Sequence, residues 1–230
     1  MNRTHQLLVN GPTLIVSLPD NSADLARAAA NGGAHALKTH INVHHDASGT
    51  HFGSLIEERS RLEAIRAPVD LPIGIVPGIV HPIRRDEVDA LADMGFDFID
   101  TFAHRFPSWL LDMTRMTRVM AIDSTYSPEA AAELAAIGME VLEAAVIPHS
   151  EYGQPLTGAD LALYRRLAQM VPTPIILPSQ RKLEPEDVAR IVAVGINGIM
   201  IGAVVTGLDT AGMEAATRAF RTAIDQSAQR

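Results

Sequence analysis

Lys38, Asp100 and Glu143 each lie five residues beyond a glycine (Gly33, Gly95 and Gly138) that ends a stretch of helical periodicity. An apolar run follows each glycine, so the shared offset predicts that the three residues occupy equivalent positions on three short buried strands. Asp123 ends a further apolar run, Val119-Met120-Ala121-Ile122, and joins them as a candidate. Charges within apolar strands are costly to bury unless they pair or are used. One outcome is a paired polar plug. The other is catalysis: enclosure should raise the pKa of a glutamate and lower that of a lysine, which suits both to proton transfer near neutral pH. A neutral Lys38 could also form a Schiff base with a carbonyl substrate.

Other polar residues cluster near the same expected strand ends. His40, His44, His45 and His51 lie close together, but in a segment that reads as strand and loop rather than helix, and the chain has no HExxH pattern. They are read as substrate contacts or loop hydrogen bonds, with no metal or other cofactor expected. Ser17, His40, Asn42, His149 and Tyr152 are candidates for contacts to a substrate. Ser17, Ser150 and Ser179 lack the nucleophile-elbow context of a serine hydrolase. Ser179, Gln180 and Arg181 follow one apolar run and Gly202-Ala203 another. These five residues are the expected anion site, with open backbone N–H groups and the Arg181 charge serving a phosphate.

The elements that must position these groups alternate along the chain. Ile175-Ile176-Leu177, a helix opened by Pro185 and ended by Gly195, and Ile199-Met200-Ile201 make one strand–helix–strand crossover unit. The same rhythm gives strands near Leu14–Ser17, Ala36–Ile41, Leu71–Val76, Phe96–Thr101, Val119–Asp123 and Glu140–Val146. Helices are expected from Asn21 or Ser22, from the capping-box pattern at Ser54 and Glu57, from Arg84 to Met94, from Ser108 to Met116 and from Ser127. An amphipathic helix closes the chain. Eight strands with crossover-length connections predict a (β/α)₈ TIM barrel of the phosphate-binding type, in one domain spanning residues 1–230. A doubly wound open sheet is the alternative, without the GxGxxG fingerprint after its first strand.

Of 230 residues, 47% are hydrophobic, enough for a sizeable core, and the formal net charge is −8. That balance argues against nucleic-acid or anionic-membrane binding but allows a local site for a small anionic metabolite. With no cysteine, disulfides and thiolate metal sites are excluded. The first residues show no secretory pattern, so a cytoplasmic protein is expected. A homo-oligomer is left open.

Three stretches carry a resemblance to a known family. HPIRRDEVDALADMGFDFIDTFAHRFP, VMAIDSTYSPEAAAELAAIGMEVL and IMIGAVVTG resemble, in order, segments of the N-acylglucosamine-6-phosphate 2-epimerases, which are phosphate-binding TIM barrels. The matching positions include Asp100, Thr101, Arg105, Pro107, Ala121, Asp123, Gly202 and Thr206. The resemblance implies a substrate contact for Arg105, a phosphorylated substrate and an anion site. Where the family has its catalytic lysine and glutamate, this chain has Pro77 and Ser179; Lys38 replaces a family arginine, and Gly207 stands where another arginine follows the strand-eight threonine. The expected function is therefore proton transfer beside a carbonyl on a phosphorylated sugar or sugar acid, as in an isomerase or epimerase of carbohydrate metabolism, using Lys38 and Glu143. A Schiff-base aldolase or lyase using Lys38, and a non-catalytic metabolite-binding barrel, are the alternatives.

Overall fold

The structure, a computed structural model, describes residues 3–78 and 82–227; His81, which opens the first resembling stretch, lies outside them. The chain begins with helix α1 (Arg3–Asn10), which the sequence reading did not anticipate, then β1 (Thr13–Ser17), α2 (Ala23–Gly32) and β2 (Ala36–His40). A short hairpin, β3 (Val43–His45) and β4 (Thr50–Phe52), precedes α3 (Leu55–Arg66), β5 (Ile73–Val76), α4 (Arg85–Asp93) and β6 (Phe98–Phe102). Then come β7 (Thr117–Ile122), α5 (Pro128–Ala136), β8 (Val141–Ala144), α6 (Gly158–Met170) and β9 (Ile175–Pro178). The chain ends with α7 (Val188–Ala193), β10 (Gly198–Ile201), α8 (Ala203–Thr206) and α9 (Thr210–Ser227). All strands but β3 and β4 pair in parallel and close into an eight-stranded barrel in the order β1-β10-β9-β8-β7-β6-β5-β2. The hairpin stands apart as an antiparallel two-stranded sheet.

Local chemistry sets these boundaries. The Ser22 hydroxyl caps α2, and Gly33 ends that helix in the left-handed conformation with φ 93°. Ser54 and Glu57 form the expected capping box on α3. Between β6 and β7 the expected Ser108–Met116 helix is only a 3-10 turn, Ser108–Asp112. Pro185 likewise opens a 3-10 turn, Pro185–Asp187, and α7 follows it.

The barrel interior is built in layers from alternate strands. Ala36, Phe98, Val141 and Gly198 share the lowest level; Ile15, Gly74, Val119 and Ile176 come next. Leu8 of α1 enters from below and packs with both levels. Two glycines make room for this packing. A Cβ on Gly198 would lie 2.7 Å from Leu8, and one on Gly74 would lie 2.0 Å from the Phe98 ring. Two residues further along β2, β6, β8 and β10, the period of a strand brings Lys38, Asp100, Glu143 and Met200 to the third level. Above it the strands end and the cavity opens.

Candidate active site

The third level is where the packing turns polar. The Lys38 ammonium donates hydrogen bonds to Asp100 Oδ2 at 3.1 Å and to Glu143 Oε2 at 3.0 Å. All three side chains are at most 8% exposed. Burial alone would lower the lysine pKa, but the two carboxylates outweigh it and raise it above its ordinary value. For Asp100, burial and the neighbouring Glu143 charge push the carboxyl well above its usual range. Burial opposes ionisation of Glu143 too, yet Lys38 and the hydrogen bond from Asp100 hold its pKa below the ordinary value. One ammonium, one carboxylate and one protonated carboxyl satisfy these directions. The expectation of a neutral Lys38 and a raised Glu143 is thus reversed, because each has the other as an ion-pair partner.

A cavity of about 220 Å³ lies on this floor at the C-terminal ends of the strands. Of the residues singled out from the sequence, Ser17, Lys38, His40, Glu143, Tyr152, Ser179, Gln180, Gly202 and Ala203 line it. Asp100 lies beneath and does not line the cavity itself; it bonds Lys38, which does. The hairpin adds Val43, His44, His45, Asp46 and Ala47 to the rim. His44 and His45 belong to the histidine group read from the sequence as substrate contacts or loop hydrogen bonds; Asp46 was not expected, although the alternation of Val43, His45, Thr50 and Phe52 around the turn-forming Asp46–Gly49 is a hairpin signal. The His40 ring packs in tilted contact with His45 at 4.7 Å and with Phe52 at 4.8 Å between centroids. Burial, reinforced by His45 and by the Lys38 charge, holds His40 neutral; burial and Lys38 bring the His45 pKa to about 4. Asn21 clamps His40 through both backbone groups, and Glu58 in turn holds Asn21.

Several expected site residues lie elsewhere. Asp123 comes just after β7, and its carboxylate turns to the Thr125 hydroxyl and N–H, so it does not join the lysine cluster. Asn42 adopts φ 52° to turn the chain into the hairpin and does not line the cavity. Arg105 is exposed on the 3-10 turn after β6, and His149 is exposed at the outer rim, with Nε2 3.4 Å from Asp46. Arg181 is buried, but its guanidinium bonds Asp160 at 3.0 Å through two nitrogens and Glu151 at 2.6 Å. That guanidinium fastens the loop after β8 to α6 and is not open to a phosphate. Nor are the backbone N–H groups of Ser179 and Gln180, which bond Met200 and Pro178 carbonyls. The Gly202 N–H donates to the Ser179 hydroxyl at 2.9 Å. The N–H groups of Ala203 and Val204, which open α8, have no partner among the described residues.

Among the described residues no group of three or more His, Asp or Glu side chains is arranged to hold a metal ion, and no helix is long and apolar enough to cross a membrane. Neither a family model nor a curated protein matches the sequence. Solved structures do match in fold. A tryptophan synthase chain from Mycobacterium tuberculosis superposes with TM-score 0.73 at 17% identity, covering 97% of this chain and 98% of its own. Thiamine phosphate pyrophosphorylase from Pyrococcus furiosus gives 0.65 at 17%, over 94% and 96%. (S)-3-O-geranylgeranylglyceryl phosphate synthase from Thermoplasma acidophilum, in complex with sn-glycerol-1-phosphate, gives 0.65 at 14%, over 98% and 99%. None of these three is an epimerase, and at such identities the likeness is one of fold: this chain is a (β/α)₈ barrel.

Proposed function

We propose that the protein is an enzyme that moves a proton beside a carbonyl on a small phosphorylated molecule, with Glu143 as the base. The observation that carries this reading is the Lys38 ammonium held between Asp100 and Glu143 on the cavity floor. Glu143, kept ionised by Lys38, takes the proton from carbon; the C–H electron pair forms the carbon–carbon double bond and the carbonyl oxygen becomes an enolate. As Glu143 loses its charge, the ammonium acquires the enolate as its new partner, so the site's net charge is unchanged through the step. Asp100, already protonated, does not compete for Lys38. Return of the proton to the other face gives an epimer; return to the former carbonyl carbon, with the hydroxyl proton of the deprotonated carbon passing to the enolate oxygen, gives an isomer. A permanently charged lysine is a poor Schiff-base nucleophile, which favours proton transfer over carbon–carbon cleavage.

The partnerless N–H groups of Ala203 and Val204 are a suitable seat for the phosphate. The synthase of the same fold bound to sn-glycerol-1-phosphate offers a precedent for a small phosphate ester. The test is deuterium exchange. A panel of phosphorylated aldoses, ketoses and sugar acids is incubated with the protein in D₂O, and the proton spectrum is followed. One C–H signal beside a carbonyl should vanish with wild type and persist with Glu143→Gln. Exchange at equal rates in the two proteins, or none from any compound with wild type, refutes the proposal.

A further inference from the structure

Tyr152 follows a 3-10 turn in the loop after β8, and it lines the cavity beside Gln180. The direction of its hydrogen bond can be worked out from the backbone. Gln180 Oε1 accepts from the Ile147 N–H at 3.0 Å, and Gln180 Nε2 donates to the Ala145 carbonyl at 3.2 Å. A backbone N–H can only donate and a carbonyl can only accept, so the Gln180 amide cannot be flipped. The same Nε2 therefore donates its second proton to the Tyr152 oxygen at 2.6 Å. A phenol that accepts this bond keeps its own proton for another partner, and among the described residues no acceptor is recorded for it. Burial raises the Tyr152 pKa and so keeps that proton in place. The loop is held too: Arg181 grips Glu151, the preceding residue, and the His149 ring packs 4.7 Å from the tyrosine ring.

We infer that Tyr152 is a catalytic hydrogen-bond donor, aimed from the cavity rim at the substrate oxygen that becomes the enolate while Lys38 reaches it from the floor. The inference rests on the proton-transfer reading and narrows it to a ligand with a ketone or aldehyde oxygen, since a donor held ready by Gln180 needs an acceptor in the ligand. Gln180 is then a positioning residue, acting only through the phenol.

Two probes separate the donor from a packed aromatic. Phosphoglycolohydroxamate carries a planar oxyanion-like group beside its phosphate, and glycerol 3-phosphate carries a phosphate with hydroxyls but no such group. Calorimetric titration of Tyr152→Phe should show hydroxamate affinity about 10- to 100-fold below wild type, the loss expected for one hydrogen bond to a charged acceptor, with glycerol 3-phosphate changed less than about twofold. Replacing Tyr152 by 3-fluorotyrosine keeps the ring and hydroxyl while strengthening the donor, and should tighten the hydroxamate only. Equal effects on both probes, or no effect of fluorination, overturn the assignment of Tyr152 while leaving Glu143 as the base. Failure of wild type to bind either probe overturns the tyrosine and the phosphorylated ligand class together. Loss of discrimination by Glu143 in the exchange assay, with the hydroxamate result intact, removes the base alone.

Discussion

Replacing Lys38 by methionine tests the charge state of the barrel's third level. Lys38, Asp100 and Glu143 side chains are 8%, 3% and 8% exposed, so the variant leaves two buried carboxyl groups without a cation. Asp100 is protonated in both proteins, and its effect cancels in the comparison. Glu143 must either stay ionised without a partner, at a cost of about 3–5 kcal/mol, or take up a proton. Uptake costs about 1.4 kcal/mol for each pH unit above the unfolded-state pKa, which is 4.5 for a glutamate. The cheaper route sets the penalty, about 3–5 kcal/mol at pH 8 and about 1 kcal/mol at pH 5. The signs are consistent. Lys38, with its raised pKa, contributes a constant amount below the ordinary lysine range. Glu143, with its lowered pKa, stabilises wild type above the ordinary carboxylate range and ceases to as pH falls through its folded value. Urea unfolding of wild type and Lys38→Met at both pH values reads the difference directly. For a chain of this size it corresponds to a drop in melting temperature of about 6–20 °C at pH 8 and about 2–4 °C at pH 5. The same loss of stability at both pH values would refute the assignment of an ionised Glu143 held by Lys38.

Asp100→Asn replaces a protonated carboxyl by its neutral isostere, so deuterium exchange should stay within about tenfold of wild type, whereas Glu143→Gln should lose about 10²- to 10⁴-fold; a larger loss in Asp100→Asn would make Asp100 the base. Gly202→Asp adds a carboxylate beside the Ala203 and Val204 N–H groups where a Cβ meets nothing nearer than 3.5 Å. It should weaken glucose 6-phosphate binding by about tenfold or more without changing the melting temperature, and unchanged affinity in calorimetry would remove the phosphate from that seat. Arg181→Met leaves Asp160 buried without its guanidinium, and should cost about 3–5 kcal/mol in urea unfolding. Unchanged stability with selective loss of phosphate affinity would restore Arg181 to the anion site.

The polar third level was legible because a helix-ending glycine, a short link and the strand period of two place a residue at a fixed height in the barrel. The same offset from Gly195 reaches Met200, which completes the layer but, being apolar, carried no signal. The ionisation states were not legible. They depend on partners 62 and 105 residues away in the chain, and pairing reverses the direction that burial alone implies. Asp123 failed for a local reason, since an aspartate just past a strand end can bond the N–H two residues on and turn away from the barrel. Arg181 failed for the opposite reason. It follows β9 as expected, but Asp160 and Glu151 take its guanidinium. The hairpin was hidden because its strands have only three residues each and the histidines invited a loop reading.

These ionisation states also constrain how a phosphorylated ligand can lie in the cavity. His40 and His45 are neutral, Asp100 is protonated and Lys38 is balanced by Glu143, so these five groups together carry almost no net charge. A phosphate that took Lys38 for itself would strand Glu143 as an unpaired buried carboxylate, at a cost comparable to deleting the lysine. The dianion is better held away from the floor, by the backbone groups of Ala203 and Val204, whose partial charges require no counter-ion to be displaced. Under the proposed proton transfer, Lys38 is then available when Glu143 is discharged and an enolate forms. In this arrangement the phosphate anchors one end of the ligand at the mouth and the acidic carbon descends to the floor. Binding and chemistry thus draw on different groups, which is why substitutions at Gly202 and at Glu143 should separate cleanly into effects on affinity and on rate.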